Sequence, residues 1–423
     1  MGVLQEPLTI GGTTRVTNRL YRAPVLEGAG DGDDCVDAYR RQFVENARHG
    51  VGLIIQGSSC LFEEGRTSPG MTLVHTRERV MRLAPMVADV HEAGAAIWLQ
   101  VGHGGLYAME GWHEPYASQR AGPLQTSSAP RWYLKPVFRR VPVHVMTGAE
   151  VHAFAEQYGR VAGWAREAGY DGIQLGSSNA KLLDQFLSPF YNRRTDEFGG
   201  TSERRAWILK VVRDAVARHA GGDYTISVKI PVAEKAPPLL PRTSWEEGLR
   251  MAERCEEWGF HAVTPVHVSV FPDTTLSRGG VPRSIWNNPS MVARLEKAAP
   301  RRIDREVLKA GYWLGGRLSP FESVWNRGRF RAVKERVSIP VFAVGGVRTR
   351  EEVEGILDAR EADMVGIGRP FYAEPDLAER IVGPVERQQL CQYSNLCVPA
   401  QMLGMKGACY NPDVVKLRTQ GRA

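Results

Sequence analysis

Residues 171–205 read DGIQLGSSNAKLLDQFLSPFYNRRTDEFGGTSERR. A short apolar run, Gly172 to Leu175, stops in a small polar loop. The segment after it carries Asn192, Arg194, Asp196 and two adjacent glycines. This reads as one strand of a parallel barrel that delivers polar side chains at its C-terminal end, where such barrels place their chemistry.

Outward from this stretch, apolar runs rich in Val and Ile recur. Strands are expected at Arg22–Val25 with its upstream residues, Leu53–Gln56, Ala96–Gln100, Gly172–Leu175, Ile226–Ile230, Ala262–Val266, Val341–Val344 and Met364–Ile367. Continuous apolar strands are those buried on both faces. Amphipathic stretches lie between them at Tyr39–Arg48, Arg79–Glu92, Glu150–Glu167, Arg204–Arg218, Trp245–Trp258, Arg329–Arg336 and Arg350–Ala359. The alternation predicts an α/β fold, a (β/α)8 TIM barrel. A doubly wound open sheet would show an early glycine fingerprint, and Gly50-Val-Gly52 is not one. Two connections, His103–Gly148 and Val268–Asn326, are too long for simple loops. They are expected over the catalytic face, either shaping a substrate cavity, covering the barrel or making a subunit contact.

The chain has 423 residues, 43% hydrophobic and 24% charged, the balance of a soluble globular protein. No apolar run approaches the ~20 residues that cross a bilayer. The N-terminus lacks a basic region followed by an apolar stretch, and Glu6 stands where a myristoylation site wants Ser or Thr. A cytoplasmic location without membrane contact is expected. The net charge of +7 comes from arginines interleaved with acids. It predicts a solvated basic surface, and no nucleic-acid-binding motif spacing is present.

Two glycine-ended strands carry a cofactor signal. Val341-Phe-Ala-Val-Gly-Gly346 ends in Gly345 and Gly346, and Val365-Gly-Ile-Gly-Arg-Pro370 ends in Gly368 and Arg369. Glycines let backbone N–H groups approach an anion, and Arg adds a bidentate partner. The loops after strands seven and eight are the usual barrel phosphate site. Tight turns with a surface Arg are the plainer reading.

Taken together, PLTIGGTTRVTNRLYRAP, GLIIQG, LQVGHGG, residues 171–205, SVKIPV, PVFAVGG and GIGRPF resemble the Old Yellow Enzyme family of flavin barrels, in order, across most of residues 7–380. NRLYRAPVLEGAG and a C-terminal Cys cluster resemble the trimethylamine dehydrogenase and 2,4-dienoyl-CoA reductase subgroup. The resemblance implies an FMN-binding barrel over residues 1–380, with a C-terminal extension over 381–423 and without that subgroup's FAD and NAD(P) domains. It implies noncovalent FMN touched by the backbone at Ala23, Pro24, Val25 and Gly57, with Gln100 on the pyrimidine edge. Lys229 stands where the family usually has Arg beside the flavin, and a cation there stabilises the anionic reduced ring. Gly345, Gly346, Gly368 and Arg369 would hold the phosphate. Leu26 stands where trimethylamine dehydrogenase has its flavin-linked Cys, so no such bond forms.

The substrate side departs from the family. Ene-reducing relatives carry a His with a second His or Asn, then a proton-donating Tyr; here those positions are Gly176, Asn179 and Lys181. Only Asn179 of the carbonyl clamp remains. Lys181 is a candidate proton donor or anion binder, or a solvated Lys at a helix start. His267, past strand six, and His103 are further candidate proton donors, each with a structural alternative.

Six cysteines are present, and Cys391, Cys397 and Cys409 cluster near the C-terminus. Such a cluster suggests metal or Fe–S chemistry more than disulfides. The spacing resembles the family's four-Cys [4Fe–4S] ligand set, with Ser394 at the second position. An incomplete cluster site, a packing relic and a three-Cys zinc site all stay open.

The reaction expected is hydride transfer between flavin N5 and a small organic substrate, by default NAD(P)H-dependent reduction of an activated C=C. Flavin-dependent oxidation of a C–N or C–C bond, non-redox isomerisation, and flavin binding without turnover are the alternatives. A homo-oligomer or a separate electron-transfer partner is the expected company.

Overall fold

Eight parallel strands close on themselves, as the alternation of apolar runs requires. They are β1 (Leu20–Arg22), β2 (Leu53–Cys60), β3 (Ala96–Gly102), β4 (Gly172–Gly176), β5 (Thr225–Lys235), β6 (Ala262–Ser269), β7 (Phe342–Val344) and β8 (Met364–Ile367). Neighbours run in the order β6-β5-β4-β3-β2-β1-β8-β7, and a parallel bridge between Val263 and Val341 closes β6 onto β7. This computed structural model describes residues 2–119, 122–138 and 141–420.

The helices of the outer ring that matter here are α1 (Cys35–Arg48), α2 (Ala84–Glu92), α3 (Gly148–Glu167), α4 (Ser202–Ala220), α5 (Trp245–Glu257), α6 (Arg302–Leu318), α7 (Arg327–Lys334) and α8 (Arg350–Asp358). Thr147 with Glu150, Ser244 with Glu247 and Thr349 with Glu352 form capping boxes that start α3, α5 and α8. Outward strand residues such as Ile54, Leu99, Ile173, Val228 and Val365 pack against this ring in the main core. Each such burial stabilises the fold by about 1.5–3 kcal/mol.

Inside the barrel the side chains stack in layers. The N-terminal hairpin, Leu8–Ile10 paired with Thr14–Val16, packs Ile10 and Val16 against Leu53, Trp98, Phe342 and Met364. Trp98 stacks on Phe342 with ring centroids 5.3 Å apart. A Cβ on Gly366 would lie 2.2 Å from the Tyr21 ring, so only Gly fits there. Above this apolar layer Gln100 donates to Gln174 at 2.8 Å, and Gln174 donates to Thr264 at 3.3 Å. At the C-terminal mouth β2, β4 and the residue after β8 present Gly57, Gly176 and Gly368.

Several boundaries differ from expectation for local reasons. The first strand occupies the upstream part of its expected stretch, Leu20–Arg22, and stops short of Val25 because Pro24 cannot donate to a ladder. The expected helix Arg79–Glu92 is two, Arg77–Met81 and Ala84–Glu92, with Pro85 opening the second. β6 runs on past Val266, but its register against β5 shifts between Val266 and Val268, at His267. The connection Val268–Asn326 is largely helical: Ser284–Asn287, Pro289–Ala298 and α6. Gly311, Gly315 and Gly316 within α6 hid its helical pattern.

Candidate active site at the barrel mouth

The 171–205 stretch divides its labour. Asn192 donates from Nδ2 to the carbonyls of Phe186 and Phe198, both at 2.7 Å. Arg194 pairs with Asp196 and donates to the Ser127 carbonyl at 3.0 Å. Arg205 donates to the carbonyls of Leu187 and Gly200 and to Glu247. These polar residues tie the loop down and do not face the mouth.

The residues just after β4 do face it. Asn179 and Ala180 both take left-handed backbone angles, φ 62° and 57°. Two such non-glycine residues in a row are unfavourable by about 1–3 kcal/mol each and persist only when their surroundings hold them. Asp184 accepts from the Ala180 N–H at 2.7 Å, and Gln185 donates to the Ala180 carbonyl at 2.7 Å. Burial, and then Glu234 nearby, push the Asp184 carboxyl well above the ordinary range. The Oδ1 of Asn179 is buried without a hydrogen-bond partner, an acceptor aimed at something the protein does not supply.

Two lysines meet here. The Lys181 stem passes over Gly102, 3.9 Å from where a Cβ would sit, and its Nζ donates to Ser58 at 3.3 Å. Lys229, at the end of the interior of β5, is 7% exposed. Burial and then the charge of Lys181 lower its pKa to about 8. Burial also lowers Lys181, with the Cys60 thiol opposing. Among the described residues no carboxylate lies within ion-pair distance of either amine. Buried cations are normally paired, so this site awaits an anion. Ser58 and the closeness of the two lysines were not legible in the sequence; Ser58 comes from β2, and the lysines meet through the register of β4 against β5.

The two histidines behave differently. His103 is buried between Phe62 and Phe154. Its Nδ1 accepts from the Gly105 N–H at 3.0 Å, and burial lowers its pKa to about 3. A Cβ on Gly65 would lie 2.2 Å from its Nε2. It is a packed neutral imidazole. His267 donates from Nδ1 to the Ala233 carbonyl at 2.9 Å, and burial with Arg329 lowers it to about 4. The His103 carbonyl accepts from the N–H of Leu182, next to Lys181, at 2.8 Å, while its ring is packed between the two phenylalanines.

At the loops after β7 and β8, Gly345 and Gly346 have φ of 125° and 84°, which a side chain rarely adopts. Trp325 lies against both, within 2.9 Å of where their Cβ atoms would be. No protein carbonyl takes the N–H of Gly346, Gly368 or Arg369 among the described residues. The Arg369 guanidinium is turned away, donating to Asn395 and to the Arg278 carbonyl. Its contribution at this loop is therefore its N–H. Below the mouth, Arg22 and Glu27 form a bidentate pair at 2.8 and 2.9 Å, 1% exposed on both sides. Their spacing of five residues was readable, but nothing in the sequence marked it as buried.

These features fit FMN. Bare N–H groups at a glycine loop suit a phosphate. A Cβ on Gly57 would meet Pro24 at 2.5 Å, one on Gly368 would meet Val25 at 3.2 Å, and one on Gly176 the Val101 carbonyl at 3.1 Å, so glycine lets these strand ends pack closely at the mouth. Gln100 offers an amide beneath, and Lys229 a cation.

The cysteine segment does not fit a four-thiolate cluster. Cys391, Cys397 and Cys409 are free and border one small cavity of about 20 Å³ together with Tyr393 and Ser394, room for about one water. Burial raises Cys391 to about 11 and Cys397 to about 12. Among the described residues no three His, Cys, Asp or Glu side chains are placed to hold a metal ion.

The family model described as "NADH:flavin oxidoreductase / NADH oxidase family" matches residues 3–256. An NADH oxidase of Thermoanaerobacter brockii is 26% identical over 86% of this chain and 48% of its own length. A 4,4'-dithiodibutanoate disulfide reductase of Rhodococcus erythropolis is 25% identical over 99% of this chain and 97% of its own. Among solved structures, an old yellow enzyme homologue from Zymomonas mobilis superposes with a TM-score of 0.67 at 18% identity, covering 97% of this chain and 98% of that one. The chain spans about half the length of the first curated relatives it matches.

Proposed function

Because the chain belongs to the NADH:flavin oxidoreductase / NADH oxidase family, we propose that it is an FMN-dependent oxidoreductase that spends NAD(P)H on reducing a small acidic organic molecule, by default at an activated C=C bond. The observation that carries this reading is the neighbouring amines of buried Lys229 and half-buried Lys181, with no carboxylate among the described residues in ion-pair distance of either, at a glycine-lined barrel mouth.

FMN, when bound, supplies the hydride chemistry. The N–H groups at Gly345, Gly346, Gly368 and Arg369 would hold its phosphate. Gln100 would hydrogen-bond the ring edge, and Lys229 would keep a positive charge beneath it. Ala23, Pro24, Val25 and Gly57 would form the wall against the ring. On the substrate side, Lys181 binds a carboxylate and Asn179 contributes its side-chain amide to the substrate carbonyl. Lys181 stands where ene-reducing relatives carry their proton-donating Tyr, and burial lowers its pKa, which favours proton donation. A relative named for dithiodibutanoate, a dicarboxylate, supports the acidic substrate. Since NAD(P)H is a cytoplasmic metabolite, we place the reaction in the cytoplasm; no helix among the described residues is long and apolar enough to cross a membrane.

The test is a titration of flavin-free protein with FMN, followed by quenching of flavin fluorescence. Saturation at one FMN per chain is expected. Absence of binding at high micromolar FMN by a folded protein contradicts the reading.

A further inference from the structure

α6 has two apolar faces. One, with Leu308 and Tyr312, packs on Ile285, Met291 and Leu295 in the core of its own insertion. The other points away from the molecule. Ile303, Val307, Leu314 and Leu318 are 65%, 63%, 50% and 59% exposed. At 3.6 residues per turn these four fall within an arc of about 60°. A surface helix ordinarily keeps that face polar, and a contiguous apolar patch marks a contact.

The stripe reads the same in both directions. Ile303 and Leu318, Val307 and Leu314, and Ala310 and Gly311 are each equidistant from the point between residues 310 and 311. A two-fold axis through that point sets each apolar residue opposite an apolar residue of an antiparallel copy. An unrelated partner would need no such symmetry. The centre of the stripe holds its two smallest residues. Gly311 sits inside a helix, where glycine is disfavoured, and a Cβ there would meet nothing within 4 Å. A single copy of the fold therefore does not require glycine at 311. Close approach of a second helix does.

Charge agrees with the same arrangement. Across an antiparallel two-fold, each flank of the helix meets itself. One flank carries Glu306 and Arg317, the latter stacked on Trp313 with its guanidinium 4.6 Å from the ring centroid. The register places Arg317 beside Glu306 of the partner subunit; within one chain Glu306 is 54% exposed and meets Lys309 at 3.3 Å.

We propose that this face pairs two copies of the chain, α6 against α6, about a two-fold axis. The contact is small, burying roughly 1,000 Å² in total, at the low end for a specific association. A reversible dimer with micromolar dissociation is the expected species.

Sedimentation velocity of the whole chain from low to high micromolar concentration tests this. A monomer–dimer equilibrium is expected. Gly311→Glu should raise its dissociation constant by at least about 100-fold, with helix content and melting temperature kept, since the position is open. Ala310→Cys should give a disulfide-linked dimer on mild oxidation, because the two-fold brings residues 310 and 311 of the two copies together. A monomer at every concentration, a dimer that Gly311→Glu leaves intact, or a dimer that Ala310→Cys fails to cross-link overturns the proposal.

Discussion

Lys229 holds its charge at a buried position with no carboxylate of the described residues in ion-pair distance, and that has a consequence for stability. Its pKa falls from 10.5 to about 8 on folding. Between these values the unfolded chain binds a proton that the folded chain does not. Stability of the flavin-free protein therefore rises with pH from about 8 to 10.5, by about 3 kcal/mol from this group alone. Urea midpoints across that range should show the rise, and Lys229→Met should remove it. Lys181 makes the matching prediction for substrate. Lys181→Met should raise KM for a carboxylate substrate by about 10-fold or more, the loss of one charge-assisted contact of about 1.5–3 kcal/mol, and leave KM for its neutral amide nearly unchanged. Equal effects on both substrates would remove Lys181 from carboxylate binding. Each lysine was a candidate in the sequence on its own. Their proximity was not legible, because it rests on the register of the β4–β5 pairing, which sets Gly176 beside Lys229.

At the scale of elements, the most recognisable stretch of the chain holds scaffold more than chemistry. Asn192 supports two carbonyls, those of Phe186 and Phe198, and thereby the turn that follows the strained Asn179–Ala180 pair. Asn192→Ala should lower stability by about 1–3 kcal/mol, the cost of leaving buried acceptors unpaired, read from the urea midpoint. Seven of the eight strands were placed by their apolar runs. The first keeps only the upstream part of its expected stretch, because Pro24 ends the ladder. Helix breaks followed Pro85, which the apolar period alone did not reveal. α6 escaped notice because its glycines look like loop residues and its second apolar face belongs to no core of this chain.

For the whole molecule, the order of the family's segments along the chain made the barrel and its family readable. The mouth was readable only as a set of residue types. Its glycines, Gln100 and Lys229 could be named from position, whereas the commitment of Arg369 to Asn395 and the packing of Trp325 on Gly345 and Gly346 depend on how the insertion and the C-terminal segment fold over the barrel. The cysteines show the same limit: spacing suggested a cluster, while Ser394 and a cavity of about 20 Å³ argue against one. Purified protein should accordingly carry less than one iron per chain after anaerobic reconstitution with iron and sulfide, measured by metal analysis; four irons with four sulfides per chain would contradict this.

The measurement that bears most directly on the account is the visible spectrum of the FMN-loaded protein, taken anaerobically before and after adding NADH or NADPH and then an α,β-unsaturated carboxylate. The account predicts flavin bands that bleach with the nicotinamide and return with the carboxylate. Bands that stay oxidised with both nicotinamides, or that bleach and do not return with any such acid, would contradict it.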